Sequence, residues 1–155
     1  MSTDSFLQEA VSLSIENITN GGGPFGAIIV RNGTIISRAG NSVTKDCDPT
    51  AHAEVNAIRA AGKALNSHDL SECELYSSCE PCPMCLSAIY WSGIKTVYFA
   101  NSRIDAENAG FNDALIYEEL ALPDDKKQIK MSRIYIPDAI KAFKIWSELD
   151  SVIKY

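Results

Sequence analysis

"FGAIIVRNGTIISRAGN", residues 25–41, holds two β-rich runs on either side of Asn32-Gly33. Asn-Gly is the preferred two-residue hairpin turn, because both of its central positions need a positive φ that these residues tolerate. The stretch therefore reads as two antiparallel strands. Upstream, "DSFLQEAVSLSIENI" (4–18) places Phe6, Leu7, Ala10, Val11, Ser14, Ile15 and Ile18 at helical spacing, with Asp4 near the start. "NGGGP" (20–24) breaks the chain between that helix and the hairpin.

Downstream, "DPTAHAEVNAIRAAGKAL" (48–65) predicts a helix capped by Thr50, with an apolar face of Val55, Ile58, Ala61 and Leu65. "CELYSS" (73–78) and "TVYFA" (96–100) read as strands. Between them, "CPMCLSAIYWSG" (82–93) predicts a helix that Pro81 starts and Gly93 stops. An acidic loop follows Ala100, then a helix "DALIYEEL" (113–120), a further strand "IKMSRIYI" (129–136) and a last helix "PDAIKAFKIWSEL" (137–149). No repeat, low-complexity tract or linker interrupts the order. Helices alternating with strands after an opening hairpin predict a three-layer α/β/α fold around a mixed five-stranded sheet, as one domain over residues 1–155.

The bulk properties narrow the chemistry. At 155 residues with 46% hydrophobic content, the chain is long enough for one domain with its own core. No apolar run approaches the length of a membrane span, and the start "MSTDSFLQEA" lacks a signal pattern, so a soluble cytoplasmic protein is expected. A net charge of −6 disfavours a nucleic-acid partner and favours a small molecule. The densest basic stretch, "DDKKQIKMSR" (124–133), carries its own aspartates.

Five cysteines form no disulfide framework in such a protein. Cys47 and Cys73 read as small buried fillers. Cys79, Cys82 and Cys85, in "SSCEPCPMCLSAIYWSG" (77–93), are too crowded for that. Cys82 and Cys85, three apart in a first helical turn, can point at one ion, and the helix N-terminus favours thiolates. Soft sulfur suits zinc. A strand followed by C-x-x-C on a helix also presents a redox dithiol, and plain packing is a third reading. A histidine elsewhere separates them. His68 lies in a polar connection, whereas His52, in "TAHAEV", opens another helix beside Glu54. Residues two apart share no helix face, so His52 and Glu54 can address one site only if it lies off the helix end.

"HAE" (52–54) with "PCPMC" (81–85) resembles the zinc-dependent nucleobase and nucleoside deaminases, whose signature is H-x-E…P-C-x-x-C. The resemblance implies a cytidine-deaminase-like fold and one zinc ion per subunit, held by His52, Cys82 and Cys85. Its fourth ligand is water or hydroxide, and Glu54 is the proton shuttle. Cys79 has no ligand role in that pattern; as a fourth ligand it would close the site into a structural one. Three protein ligands leave a position for water, whose pKa zinc brings to about 7.

Further stretches narrow the substrate. "GGPFGAIIV" (22–30), "GNSVT" (40–44), "DPTAHAEVNAIR" (48–59), "SCEPCPMCLSAIYW" (78–91) and "AGFNDALIY" (109–117) resemble the bacterial guanine deaminases within this superfamily. That resemblance implies conversion of guanine to xanthine and ammonia. It places Phe25, Asn41, Ala53, Trp91, Asp113 and Tyr155 around the base, with Asp113 also catalytic. It implies a homodimer whose C-terminal segment, about 130–155, is swapped so that Tyr155 enters the partner's site. A carboxylate accepts hydrogen bonds from guanine's amino and ring N–H groups, which adenine does not present in that arrangement. Asp113 as a helix cap, and Phe25 and Trp91 as core, are the plain alternatives. A tRNA adenosine deaminase, or another nucleobase or nucleoside deaminase acting on cytosine or guanosine, shares the zinc pattern and stands as the enzymatic alternative; a structural-zinc binding module is the non-enzymatic one.

Overall fold

The structure, a computed structural model, describes residues 2–153. Helix α1 (Thr3–Thr19) opens with a capping box in which Ser2 and Ser5 satisfy each other's backbone N–H groups. Strands β1 (Gly23–Arg31) and β2 (Thr34–Asn41) form the expected hairpin, with Asn32 at φ 51° and Gly33 at φ 73°. Strand β1 also pairs antiparallel with β3 (Cys73–Cys79), and β3 pairs parallel with β4 (Thr96–Asn101). The sheet is mixed, in the order β2-β1-β3-β4.

Alternation along the central strands sends their side chains into two cores. Ile28, Val30 and Tyr76 meet Phe6 and Ala10 of α1. Ala27, Ile29 and Leu75 meet helix α3 (Ala53–Leu65) and helix α4 (Pro83–Trp91) through Ala53, Ala57, Ala61 and Ile89. The three alanines recur every four residues and are fully buried, so they form a smooth stripe that lets α3 lie close on the sheet. On the opposite face, a Cβ at Gly26 would stand 2.5 Å from the Ala10 carbonyl oxygen, so glycine is what allows α1 to approach β1. These helices and the sheet make the predicted α/β/α layering.

Several expectations need correction. The sheet has four strands, not five: among the described residues no strand follows Asn101. Residues 129–136 alternate like a strand, but alternation fixes only which face a strand would present, and no ladder forms along this stretch among the described residues. Helix α3 is capped at His52 rather than at Thr50, whose hydroxyl instead donates to Asp48 at 2.7 Å. Helix α4 starts at Pro83 with Cys82 as its N-cap, one turn-forming step later than a start at Pro81. Cys73 is buried as expected; Cys47 is exposed, in a left-handed position (φ 51°) that ends the short helix α2 (Val43–Asp46).

The chain parts after Leu115 into two compact units. The first holds the sheet, its three covering helices and the short helix α5 (Arg103–Asn108). Helix α6 (Ala114–Ala121) begins before the division and runs beyond it. The second unit continues with 3-10 turns at Asp124–Lys126 and Pro137–Ala139 and helix α7 (Ile140–Glu148). Ile129, Ile134, Tyr135 and Phe143 are all strongly exposed there.

Candidate metal centre and active site

Helices α1 and α5 spend their N-cap serines, Ser2 and Ser102, on their own first turns. Helices α3 and α4 do not. Their N-caps, His52 and Cys82, have extended backbones and make no side-chain cap, so both side chains are free to point off the helix ends. They meet there. The Sγ atoms of Cys82 and of Cys85 each lie 3.5 Å from His52 Nδ1. All three ligand atoms fall within 4.8 Å of one another.

That spacing fits zinc. Bonds of about 2.3 Å to sulfur and about 2.0–2.1 Å to nitrogen at a tetrahedral centre separate N from S by about 3.6 Å. The donor set, one imidazole and two thiols, is the kind zinc takes. Hydrogen bonding from Cys85, and then the His52 imidazole, pull the Cys82 thiol well below its usual range. Cys85 moves the other way, because its thiol hydrogen-bonds to Cys82 and burial adds to the effect. The Cys82 hydrogen bond raises the His52 imidazole against the opposing effect of burial. A dication at the common point removes this competition by favouring both thiolates.

Cys79 points elsewhere. It is buried, its Sγ donates to the Ser102 carbonyl oxygen at 3.5 Å, and burial pushes its thiol up to about 11. It is a neutral thiol and not part of the three-residue cluster.

Glu54 is 5% exposed and sits beside the cluster. Its Oε2 is 3.4 Å from Cys85 Sγ, and its Oε1 accepts the Ser77 hydroxyl at 3.1 Å. Burial holds its carboxyl above the ordinary glutamate range. A carboxyl shifted in this direction can hold a proton and release it, as a general acid–base must.

Glu54 opens into a cavity of about 320 Å³ that Phe25, Cys79, Cys82, Phe111 and Asp113 also line. The Phe25 and Phe111 rings meet edge to face at 4.9 Å, forming an apolar wall. Asp113 is half-buried, and burial, followed by the charge on Cys82, raises its carboxyl. The cavity thus presents an aromatic wall, the Glu54 carboxyl at the metal cluster, the Asp113 carboxyl, and the charged side chains of Glu80 and Arg103 on its lining. A flat, polar-edged molecule suits that combination.

The other expected residues distribute as follows. Ala53 is fully buried at the start of α3. Asn41 is also buried, with its Oδ1 accepting from the Val43 N–H at 3.3 Å, and is not part of the cavity lining. Trp91 lies outside the cavity, 71% exposed, on an open groove of about 780 Å³ shared with Val55, Ile58 and Leu70. Tyr155 lies outside the described residues. Sequence reasoning passed over Phe111, Arg103 and Ser77. Ser77 had a legible signal: strand alternation puts it on the same face as Leu75, toward α3. Phe111, two residues before Asp113, stood inside a motif already singled out.

Comparison with known proteins agrees with this geometry. Residues 1–101 match the cytidine and deoxycytidylate deaminase zinc-binding region. Over its whole length the chain is 45% identical to the guanine deaminase of Bacillus subtilis, covering 100% of both. It is 44% identical to a tRNA-specific adenosine deaminase of Aquifex aeolicus, over 71% of this chain and 72% of that one. The crystal structure of Bacillus subtilis guanine deaminase superposes with a TM-score of 0.97 over 100% of this chain and 99% of the other. A guanine deaminase from Nitrosomonas europaea is 34% identical, with a TM-score of 0.70 over 72% of this chain and 65% of that one.

Proposed function

The chain belongs to the cytidine and deoxycytidylate deaminase family, and we propose that it hydrolyses guanine to xanthine and ammonia. The observation that carries this reading is the end-to-end match to a guanine deaminase, including the segment that holds Asp113. The match to the tRNA-specific adenosine deaminase covers a smaller share of the chain, and the net charge of −6 suits a small base better than a polyanion.

His52, Cys82 and Cys85 would hold zinc, which supplies a water acidic enough to act as nucleophile near neutral pH. Glu54 accepts the proton that water gives up as its oxygen adds to C2 of the base. It delivers that proton to the adjacent ring nitrogen, then moves the remaining proton of the added hydroxyl to the 2-amino group, which leaves as ammonia. The water oxygen remains on C2 as the new carbonyl of xanthine. Asp113 accepts from the N1–H and 2-amino donors, an edge that adenine lacks. Phe25 and Phe111 cover the ring, Ala53 leaves room against its face, and Asn41, set behind the cavity lining, offers its side-chain amide to the base while its Oδ1 accepts from the Val43 N–H.

The second unit completes the reading. Its exposed Ile134, Tyr135 and Phe143 support a homodimer in which the segment from about 130 to 155 docks on a second copy. In that dimer the partner subunit's Tyr155 closes the base pocket, Trp91 joins it only where the second copy brings the two together, and one domain over residues 1–155 is the folding unit shared between copies. No helix among the described residues is long and apolar enough to cross a membrane, and the described cysteines are unpaired, in keeping with a cytoplasmic enzyme of purine breakdown.

Ammonia release by zinc-assayed protein tests the assignment against guanine, guanosine, adenine, cytosine, cytidine and adenosine in tRNA. Turnover of guanine alone is expected. Turnover of another base would retain the zinc centre and Glu54 but discard Asp113 as the recognition residue. Editing of tRNA would replace the reading.

A further inference from the structure

We propose that Ser77 is a positioning residue for the catalytic carboxylate of Glu54, an inference that rests on the deaminase reading. The two oxygens of Glu54 have separate environments. Oε2 faces the metal cluster, 3.4 Å from Cys85 Sγ. Oε1 points at the sheet and accepts the Ser77 hydroxyl at 3.1 Å. The terminal torsion of a glutamate is broad and roughly two-fold, so nothing intrinsic to the side chain selects this orientation. The hydroxyl selects it.

The hydroxyl is itself directed. The backbone N–H of Cys79 points at Ser77 Oγ from 3.5 Å, on the acceptor side of that oxygen. With an N–H on one side, the Ser77 proton is turned toward Glu54. Ser77 is 1% exposed and Glu54 5% exposed, so bulk water does not compete for either group. The chain of contacts from Cys79 N–H through Ser77 to Oε1 is anchored in β3, where Ser77 is paired with Ala27 of β1 and Phe99 of β4. Rigid sheet backbone thus fixes one carboxylate oxygen and leaves Oε2 to exchange protons.

Such positioning affects the chemical step more than binding. Ser77 does not line the cavity, and its hydroxyl bonds to Glu54 and the Cys79 N–H rather than to any of the three metal-binding side chains. Loss of orientation at a reacting group costs on the order of 10- to 100-fold. That loss should fall on kcat, with KM and metal content nearly unchanged.

Two variants of one shape separate the hydroxyl from the packing: Ser77→Thr and Ser77→Val. Any crowding from the added methyl group is common to both. Ser77→Thr should keep kcat for guanine within about threefold, whereas Ser77→Val should lose about 10- to 100-fold. Both should bind one zinc per chain and bind xanthine with unaltered affinity. Crystal structures provide a readout independent of turnover: Glu54 should keep its orientation in the Thr variant and rotate away from β3 in the Val variant. Equal kcat in the two variants, or a change confined to KM, would overturn the inference. So would an unchanged Glu54 orientation in Ser77→Val. Failure of the unaltered protein to deaminate guanine would strike the deaminase reading itself, which the structures of the variants do not depend on.

Discussion

Within residues 2–115, Tyr76, Ile28, Ile29, Leu75 and Val30 have almost no exposed surface. Within residues 116–153, Ile129, Ile134, Tyr135 and Phe143 each expose more than half of theirs. The first region is a sheet between helix layers, where strand alternation and helix periodicity each find a surface to bury against. Among its described residues the second has the remainder of α6, two 3-10 turns and the short helix α7, with a stretch at 129–136 that forms no ladder. A set of large apolar groups that finds no core in its own unit needs a surface to cover it. On the proposed function, the contrast corresponds to two roles: the first region carries the chemistry and the second carries the association.

The largest effect expected from that division is at Glu54. Glu54→Gln keeps the shape and one hydrogen-bond acceptor but removes the proton-exchanging carboxylate. It should lower kcat for guanine by roughly 10²- to 10⁴-fold, while metal analysis still finds one zinc per chain and the oligomeric state is unaltered. Retained turnover would show that the carboxylate beside the cluster is not the shuttle. Asp113→Ala comes next. Removing an acceptor of charge-assisted hydrogen bonds costs about 1.5–3 kcal/mol, so kcat/KM for guanine should fall about 10- to 100-fold with zinc intact. Equal kinetics would remove Asp113 from base recognition.

What the sequence made legible follows the same boundary. The hairpin could be read because Asn32-Gly33 fixes its own turn, and α1 because Phe6, Ala10 and Ser14 repeat on one face. His52, Cys82 and Cys85 were legible as a set through the resemblance to the H-x-E…P-C-x-x-C signature, because spacing alone left metal, redox and packing open. The structure adds that His52 and Cys82 are N-caps that make no side-chain cap. Residues 129–136 misled because alternation shows which face a strand would present and not whether an edge exists to receive it. Ser77 was missed because its role depends on Glu54, a residue 23 positions away in sequence, and only the fold brings the two together. Cap positions were off by one or two residues at Thr50 and Pro81, where a short polar residue or a proline suits several neighbouring positions equally well.

A smaller effect tests the second region directly. Phe143 and Trp146 lie three apart on α7, and both are exposed. The double substitution Phe143→Ser and Trp146→Ser should shift the protein toward monomer in sedimentation or light scattering, with zinc content unchanged. Because these side chains are exposed within their own unit, local stability should change by only about 0.5 kcal/mol. Activity should then depend on protein concentration, falling at dilution by as much as the pocket depends on the partner. A variant that stays dimeric would mean that the exposed apolar groups of α7 do not form the interface.

The smallest effect is expected at Cys79, where the first region invites a mistake. Three cysteines in seven residues suggest three ligands, yet only two sulfurs approach His52. The third is committed to the Ser102 carbonyl oxygen, in the turn that caps α5. A serine at this position keeps a donor for that oxygen and loses only sulfur volume. Cys79→Ser should therefore cost about 1 kcal/mol of stability, leave zinc at one per chain and keep guanine turnover within about twofold. If the variant instead released zinc, the cluster would have four protein ligands and no position for water. The first region would then be a structural zinc fold, and the cavity beside Glu54 would need another chemistry.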